Sequence, residues 1–206
     1  MLAKLKNKTL IDDYFKSNTN KIEVLELAKE LNLSIPDTII TTLKKDLLNC
    51  KWRLINKNIS NIAHLSTKDK TYHNRTVEIH PDLLPETFFP SLFQKLIDKK
   101  YELRIFYLKK KFYSMAIFSQ EDAKTALDFR NYNYLKPNRT VPFELPLDIQ
   151  NKLEKLMSRL ELNTGSIDMI ISKKDEFVFL EVNPDGQFGM VSQPCNYYLE
   201  KKSQIF

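Results

Sequence analysis

From Ser166 to Gln187 the chain reads SIDMIISKKDEFVFLEVNPDGQ, two apolar, alternating runs around a polar turn. Such a ribbon needs a sheet to join and a core to cover it, yet it carries Asp168, Glu181 and Asn183 within it. Side chains two apart on a strand share a face. Phe177, Phe179, Glu181 and Asn183 are therefore expected to point one way, against Val178, Leu180 and Val182. On the first strand Ser166, Asp168 and Ile170 oppose Ile167, Met169 and Ile171. With KKDE as a four-residue turn, Ser172 pairs with Phe177, Asp168 with Glu181, and Ser166 with Asn183. Like charges facing each other destabilise a sheet, and burial raises the cost. Spacing alone leaves two answers open. The carboxylates and the amide oxygen form a hard, all-oxygen set suited to Mg²⁺ or Mn²⁺ beside phosphate. Alternatively they lie on a solvated face with lysine partners, since ion-pair networks also hold perturbed acids. The NPDG that follows is a type I turn and ends the strand just past Asn183, near an opening.

Only 3 of the 206 residues are glycine (Gly165, Gly186 and Gly189), and all fall in the last quarter. No GxGxxG or GxxxxGK[ST] loop can be drawn, which removes Rossmann and P-loop nucleotide binding as motif-based readings. There is no zinc spacing and no nucleophile elbow, and His64, His73 and His80 have no ligand or triad spacing. Cys50 and Cys195 make no disulfide framework, so a reducing cytoplasm is expected. No run is long and apolar enough for a signal core or a membrane span. The net charge of +6 points to an anionic partner without naming it. An exposed aromatic row for stacking on nucleic acid is not identifiable.

Along the chain, residues 1–20 read as a linker, and NKIEVLELAKELNL as a helix capped by Asn20, with Ile22, Leu25, Ala28 and Leu31 on one face. TIITT and WRLINKNI read as strands, LKKDLL as a short helix, and 64–79 as two strands around a turn at Lys68–Lys70. PSLFQKLI, YELRIFYL and KFYSMAIFS are three more strands, with Lys109–Lys111 connecting the last two. Residues 120–145 read as a long irregular loop, and LDIQNKLEKLMSRLEL as a helix with Ile149, Leu153, Leu156 and Leu160 inward. NYYLEKKSQIF begins a closing helix. Strands and helices mix without βαβ alternation, so the class is α+β.

On these residues the chain resembles the ATP-grasp ligases. SIDMII…FVFLEVNPDGQFGMVSQPCNYYLEKK is similar to their C-terminal signature, and VNP-GQ and PCNY resemble the microviridin-type peptide maturases. The resemblance implies two α+β subdomains with antiparallel sheets clasping a nucleotide, at residues 21–97 and 98–206. It implies that Asp168, Glu181 and Asn183 bind Mg²⁺ (or Mn²⁺) bridging the ATP phosphates. INKNIS resembles the strand whose lysine contacts the phosphates, here Lys57. FQKLIDKKYELRIFYL resembles the hinge, where the backbone of Lys95 and Leu96 would hold adenine, Glu102 face the ribose and Arg104 the phosphates. LDFRNYNYLKPNR nominates Arg130 for the transferring phosphoryl, with Asn131 beside it and Arg139 as a further catalytic arginine. Such a site would work by cationic clamping of a transferring phosphoryl group. The family departs from this chain in two ways: it carries an N-terminal domain that residues 1–20 are too few to replace, and a Gly-rich phosphate cover where this chain has Ser66, Thr67 and Lys68.

The implied activity is that of an ATP-dependent carboxylate ligase. It would phosphorylate Asp or Glu side chains of a ribosomal precursor peptide (leader plus core) and close side-chain ester or amide crosslinks through an acyl phosphate. The alternatives are another ATP-grasp carboxylate–amine ligase acting on a protein tail, or a nucleotide- or peptide-binding fragment without catalysis. Nucleic acid and membrane are not expected partners, and a homodimer is left open.

Overall fold

A computed structural model of the chain describes residues 19–59, 64–66, 71–73, 76–131 and 133–203. Thr67, Lys68, the side chain of Ser66 and most of the expected linker lie outside the described residues.

Helix α1 (Lys21–Glu30) starts where expected, with the Asn20 side-chain oxygen accepting the Ile22 N–H at 3.0 Å. A four-stranded antiparallel sheet follows, built from β1 (Thr38–Leu43), β2 (Leu54–Lys57), β5 (Val77–Ile79) and β6 (Thr87–Lys95) in the order β1-β6-β2-β5. Between β2 and β5 runs a separate ribbon of β3 (His64–Ser66) and β4 (Thr71–His73). One face of the small sheet buries Leu54 and Phe93 against Leu47 of α2 (Lys45–Leu48). The other turns Ile55, Lys57 and Gln94 towards a cavity.

The second sheet has five antiparallel strands in the order β11-β10-β7-β8-β9: β7 (Lys99–Leu108), β8 (Lys111–Phe118), β9 (Arg139–Phe143), β10 (Thr164–Ser172) and β11 (Phe177–Asn183). Lys109 and Lys110, both at positive φ, make the two-residue turn between β7 and β8, positions where Asn-Gly is the unstrained choice. One face of this sheet, with Ile105, Ile167, Met169 and Phe179, is buried beneath α1 and α3 (Leu147–Arg159). Leu153, Leu156 and Met157 of α3 are wholly buried there, each contributing about 1.5–3 kcal/mol by leaving water. Helix α1 gives Val24, Leu25 and Ala28 to this same core. It therefore packs with the large sheet, whereas the sequence division at 21 and 97 grouped it with the small one.

On the opposite face Phe106, Leu108, Met115 and Ile117 are covered by Val191, Cys195 and Leu199, from and beside α4 (Gly189–Ser192) and α5 (Leu199–Ser203). The rest of that face looks across at the small sheet, and the cavity lies between them. No helix among the described residues is long and apolar enough to cross a membrane.

Two features depart from the sequence reading. Residues 139–143, expected within an irregular loop, pair with β8 as an edge strand. Pro142 lacks a ladder donor, which suits an edge and hides the strand from a propensity reading. The second is in the final ribbon. At its tip Ile171 pairs with Phe177 and Met169 with Phe179, one residue off the expected register. Between Asp168 and Met169 the register then shifts, leaving Leu180 as an extra residue on β11, and beyond it Asp168 faces Glu181 and Ser166 faces Asn183 as expected.

Candidate functional site

That bulge decides which groups meet. Unbroken alternation would put Phe177, Phe179 and Glu181 on one face. The extra residue instead changes phase between Phe179 and Glu181, so the two phenylalanines join the core with Val182 while Leu180 and Glu181 both line the cavity. On β10 the expected alternation holds, with Ile167, Met169 and Ile171 inward and Asp168 and Ile170 on the cavity side.

Across three adjacent strands this makes a charged row, Glu181–Asp168–Arg104. Nη1 of Arg104 donates to both oxygens of Asp168, at 2.7 and 2.6 Å. Lys21, the first residue of α1, holds Oε2 of Glu181 at 2.8 Å. The two acids therefore have unequal environments. Burial, aided by Glu181, pushes the Asp168 carboxyl up, and Arg104 only partly opposes it. Burial pushes Glu181 up as well, but Lys21, Lys57 and Arg130 outweigh it and bring that group down to about 2.

Lys57 reaches the cavity from β2. Burial pulls its ammonium pKa down, with Lys21 and Arg130 adding repulsion against the attraction of Glu181 and Asp168. It forms no ion pair or hydrogen bond among the described residues, so a half-buried amine without a bonded anion stands in this wall. Arg130 arrives from the loop after β8, gripped by Asp128 through Nε at 2.8 Å, Nη2 at 2.6 Å and its own backbone N–H at 3.0 Å. Burial works against ionising Asp128, but Arg130 and the Thr76 N–H hold its carboxyl below the usual range. Glu102 is buried on β7, its Oε1 accepting from Lys99 at 2.5 Å and from the Ser119 hydroxyl at 2.7 Å, and burial raises its pKa.

Seven of the sequence-nominated residues thus line one cavity: Lys57, Lys95, Leu96, Glu102, Arg130, Asp168 and Glu181. Asn183 stands exposed at the end of β11, two positions on from Glu181. Asn131 adjoins Arg130, with a buried side-chain oxygen lacking a partner. Three assignments change. Arg104 is paired with Asp168 through Nη1 and is not among the residues that line the cavity. Arg139 is exposed on β9, with its guanidinium 5.1 Å above the Phe118 ring, because the strand carries it away from the loop that holds Arg130. The Lys95 and Leu96 N–H groups are used by the carbonyls of Asp37 and Arg53, at 2.9 and 2.8 Å. Ile97 lines the same cavity, and its N–H has no partner among the described residues.

Lys21, Asp128 and Gln94 were missed. A lysine at the first turn of a helix opposes the macrodipole, and that anomaly was the available signal for Lys21. For Asp128 the signal was its place two residues before a nominated arginine.

The donor set fits a divalent cation. Oε1 of Glu181 and the side-chain oxygen of Asn183 have no partner among the described residues, and Asp168 lies directly across from Glu181. All are hard oxygen ligands. Lys57 and Arg130 place positive charge opposite, as a polyphosphate requires.

No protein-family model matches the chain, and no curated relative matches it. Solved structures do. A RiPP-associated ATP-grasp ligase of Chryseobacterium gregarium, in complex with ADP and a leader and core peptide, is similar at 26% identity and a TM-score of 0.74 over 88% of this chain and 59% of that one. The macrocyclase MdnC of Microcystis aeruginosa, bound with the precursor peptide MdnA, is similar at 26% identity and a TM-score of 0.75, covering 94% of this chain and 62% of that one. MdnB of the same organism gives 24% identity and a TM-score of 0.73 over 97% and 62%. The chain therefore spans about three fifths of the length of these ligases. Its fold is the ATP-grasp fold.

Proposed function

We propose that this ATP-grasp chain carries the nucleotide and metal site of an ATP-dependent ligase that crosslinks side chains of a ribosomally made precursor peptide. One observation supports the reading above the others: a half-buried Lys57 without an ion-pair partner among the described residues and a braced Arg130 share a cavity with the Asp168–Glu181 pair. Lys57 and Arg130 bind the phosphates of ATP. Glu102, whose Oε2 has no partner among the described residues, accepts from the ribose hydroxyls. Glu181, Asp168 and Asn183 hold Mg²⁺ or Mn²⁺, which when bound offsets charge on the polyphosphate. Arg104 and Lys21 orient the two carboxylates through the bonds described above.

A peptide Asp or Glu carboxylate takes the γ-phosphoryl group, giving an acyl phosphate and ADP. A peptide Ser or Thr hydroxyl, or a Lys amine, then displaces phosphate, and the peptide loses one water per ester or amide. Arg130, held rigid by Asp128, stands where charge builds on the transferring group. The similarity to ligases seen with ADP, with leader and core peptide and with a precursor peptide supports the choice of substrates. Two free thiols, Cys50 and Cys195, suit a cytoplasmic setting.

The test is incubation with ATP, Mg²⁺ and a precursor peptide encoded beside the gene, followed by mass spectrometry. Loss of one water per crosslink is expected. Lys57→Met should weaken ADP binding by roughly 10–100-fold, the worth of one buried charge-assisted contact of about 1.5–3 kcal/mol. A gain in peptide mass would indicate addition of a second molecule instead, and ADP affinity indifferent to Lys57 would overturn the phosphate assignment.

A further inference from the structure

Between β8 and β9 the chain makes a long excursion, and two neighbours within it, Tyr134 and Leu135, are 87% and 97% exposed. Single apolar residues in water are ordinary, but an adjacent pair on a pinned backbone asks for a partner. The pinning is specific. Nδ2 of Asn133 donates to Asp122 at 2.6 Å, and Oδ1 of Asn133 accepts the N–H groups of Leu135 and Lys136 at 3.1 and 3.3 Å. Thr125, wholly buried, meets the Asn138 side chain at 3.0 Å on the far side of the pair. A tip held in this way gives up little further freedom when something covers it.

Its surroundings are basic. The Asn133 bond, then the Lys124 N–H, hold the Asp122 carboxyl below its ordinary range, and the charges of Lys136 and Lys124 add to them. Both lysines are exposed, and neither is in an ion pair among the described residues. The tip is also continuous with the site. Leu135 is five positions on from Arg130, which lines the cavity. At about 3.3–3.6 Å per residue, the two stand within about 18 Å of each other, the span of about five residues of extended peptide.

We propose that Tyr134 and Leu135, rimmed by Lys124 and Lys136, dock the stretch of an acidic peptide that flanks the carboxylate presented to Arg130. This rests on the ligase reading above and adds to it where the peptide lies beyond its reacting acid. An apolar peptide side chain within about five positions of that acid covers Leu135, and a second peptide carboxylate answers the two lysines.

The experiment follows water loss from the precursor peptide encoded beside the gene, with ADP affinity measured separately, for the unaltered protein, Leu135→Ser and Tyr134→Ser/Leu135→Ser. Leu147→Ser, which alters another exposed leucine at the start of α3, is the control. The double variant should raise KM for the peptide by roughly 10–100-fold, the worth of one apolar side chain returned to water, and leave kcat and ADP affinity unchanged. Lys124→Gln/Lys136→Gln should flatten the dependence of that KM on salt. A peptide KM that ignores the double variant overturns the proposal. So does a fall in kcat or ADP affinity alongside the rise in KM, which would mean that the tip only supports Arg130. If the double variant instead abolishes self-association or binding to anionic vesicles with KM unmoved, the surface serves a second copy or a membrane, and the proposal is again wrong. Absence of both ADP binding and water loss in the unaltered protein would overturn the proposed function itself, whereas water loss with an unmoved KM would overturn only the docking surface.

Discussion

Replacing Arg104 by methionine removes the guanidinium that holds both oxygens of Asp168 while retaining an apolar chain on β7. Asp168 then faces Glu181 on the next strand without its own cation. At an effective dielectric constant of about 20, an ion pair at about 4 Å is worth roughly 4 kcal/mol. Removing one partner of a buried pair costs about 3–5 kcal/mol. The two side chains are only 11% and 15% exposed, so solvent screens little of this. Protonation limits the loss, because Asp168 can neutralise itself at a cost of about 1.4 kcal/mol for each pH unit above its ordinary value near 4. Burial and Glu181 already hold that pKa above the unfolded value, and without Arg104 it climbs further. The folded variant then keeps a proton that the unfolded chain releases near pH 4, so stability declines as pH rises from there through the raised pKa. Urea unfolding at pH 8 should show a loss of about 3–5 kcal/mol, or about 6–20 °C in Tm, and a smaller loss at pH 5. Adding Asp168→Asn should restore most of the loss at pH 8 and remove this group's pH dependence. The reasoning fails if single and double variants lose the same stability at both pH values.

Gly186→Ala should destabilise the chain by about 1–3 kcal/mol, the range for overpacking, because a Cβ there would lie 2.2 Å from Ser166 Cβ and 2.6 Å from its backbone nitrogen. Ser166→Gly should not rescue it, since the backbone nitrogen remains, and thermal melts of both variants decide the point. Asp128, held below its unfolded pKa by Arg130, contributes stability that is complete above about pH 4 and is lost as pH falls through the lowered folded value. Asp128→Asn should lower stability at neutral pH and flatten the acid limb of the unfolding profile. An acid limb identical to that of the parent would contradict this.

Much of the site could be read from period-two alternation. Asp168 opposite Glu181, and Ser166 opposite Asn183, follow from counting along the ribbon, and the structure has those pairs. The count reached the right pairs from a turn that is one residue too short, because the bulge at Leu180 restores the register. A bulge without glycine leaves no mark in composition, so the sides taken by Phe177 and Phe179 were not readable. Lysine was the other blind spot. With 32 basic residues in the chain, only tertiary placement separates Lys21 and Lys57 from the solvated remainder. Arg139 was obscured for the opposite reason, since proximity in sequence to Arg130 does not reveal that Arg139 opens the edge strand β9, paired with Phe118 of β8. At the hinge, residues 95–97 do face the cavity, but which N–H is left over depends on strand partners that no local pattern reveals.

The extra residue at Leu180 also governs how the ribbon can close during folding. Zipping from the tip with the Met169–Phe179 alignment continued would bring Leu180 across from Asp168 and Glu181 across from Ile167. The acid would then enter the apolar layer, at a cost of several kcal/mol, and Val182 would be turned out of it. Misaligned closure thus rejects itself, and only the strand offset that expels the carboxylate lets Val182 seat. Glu181 thereby proofreads the assembly of the cavity wall.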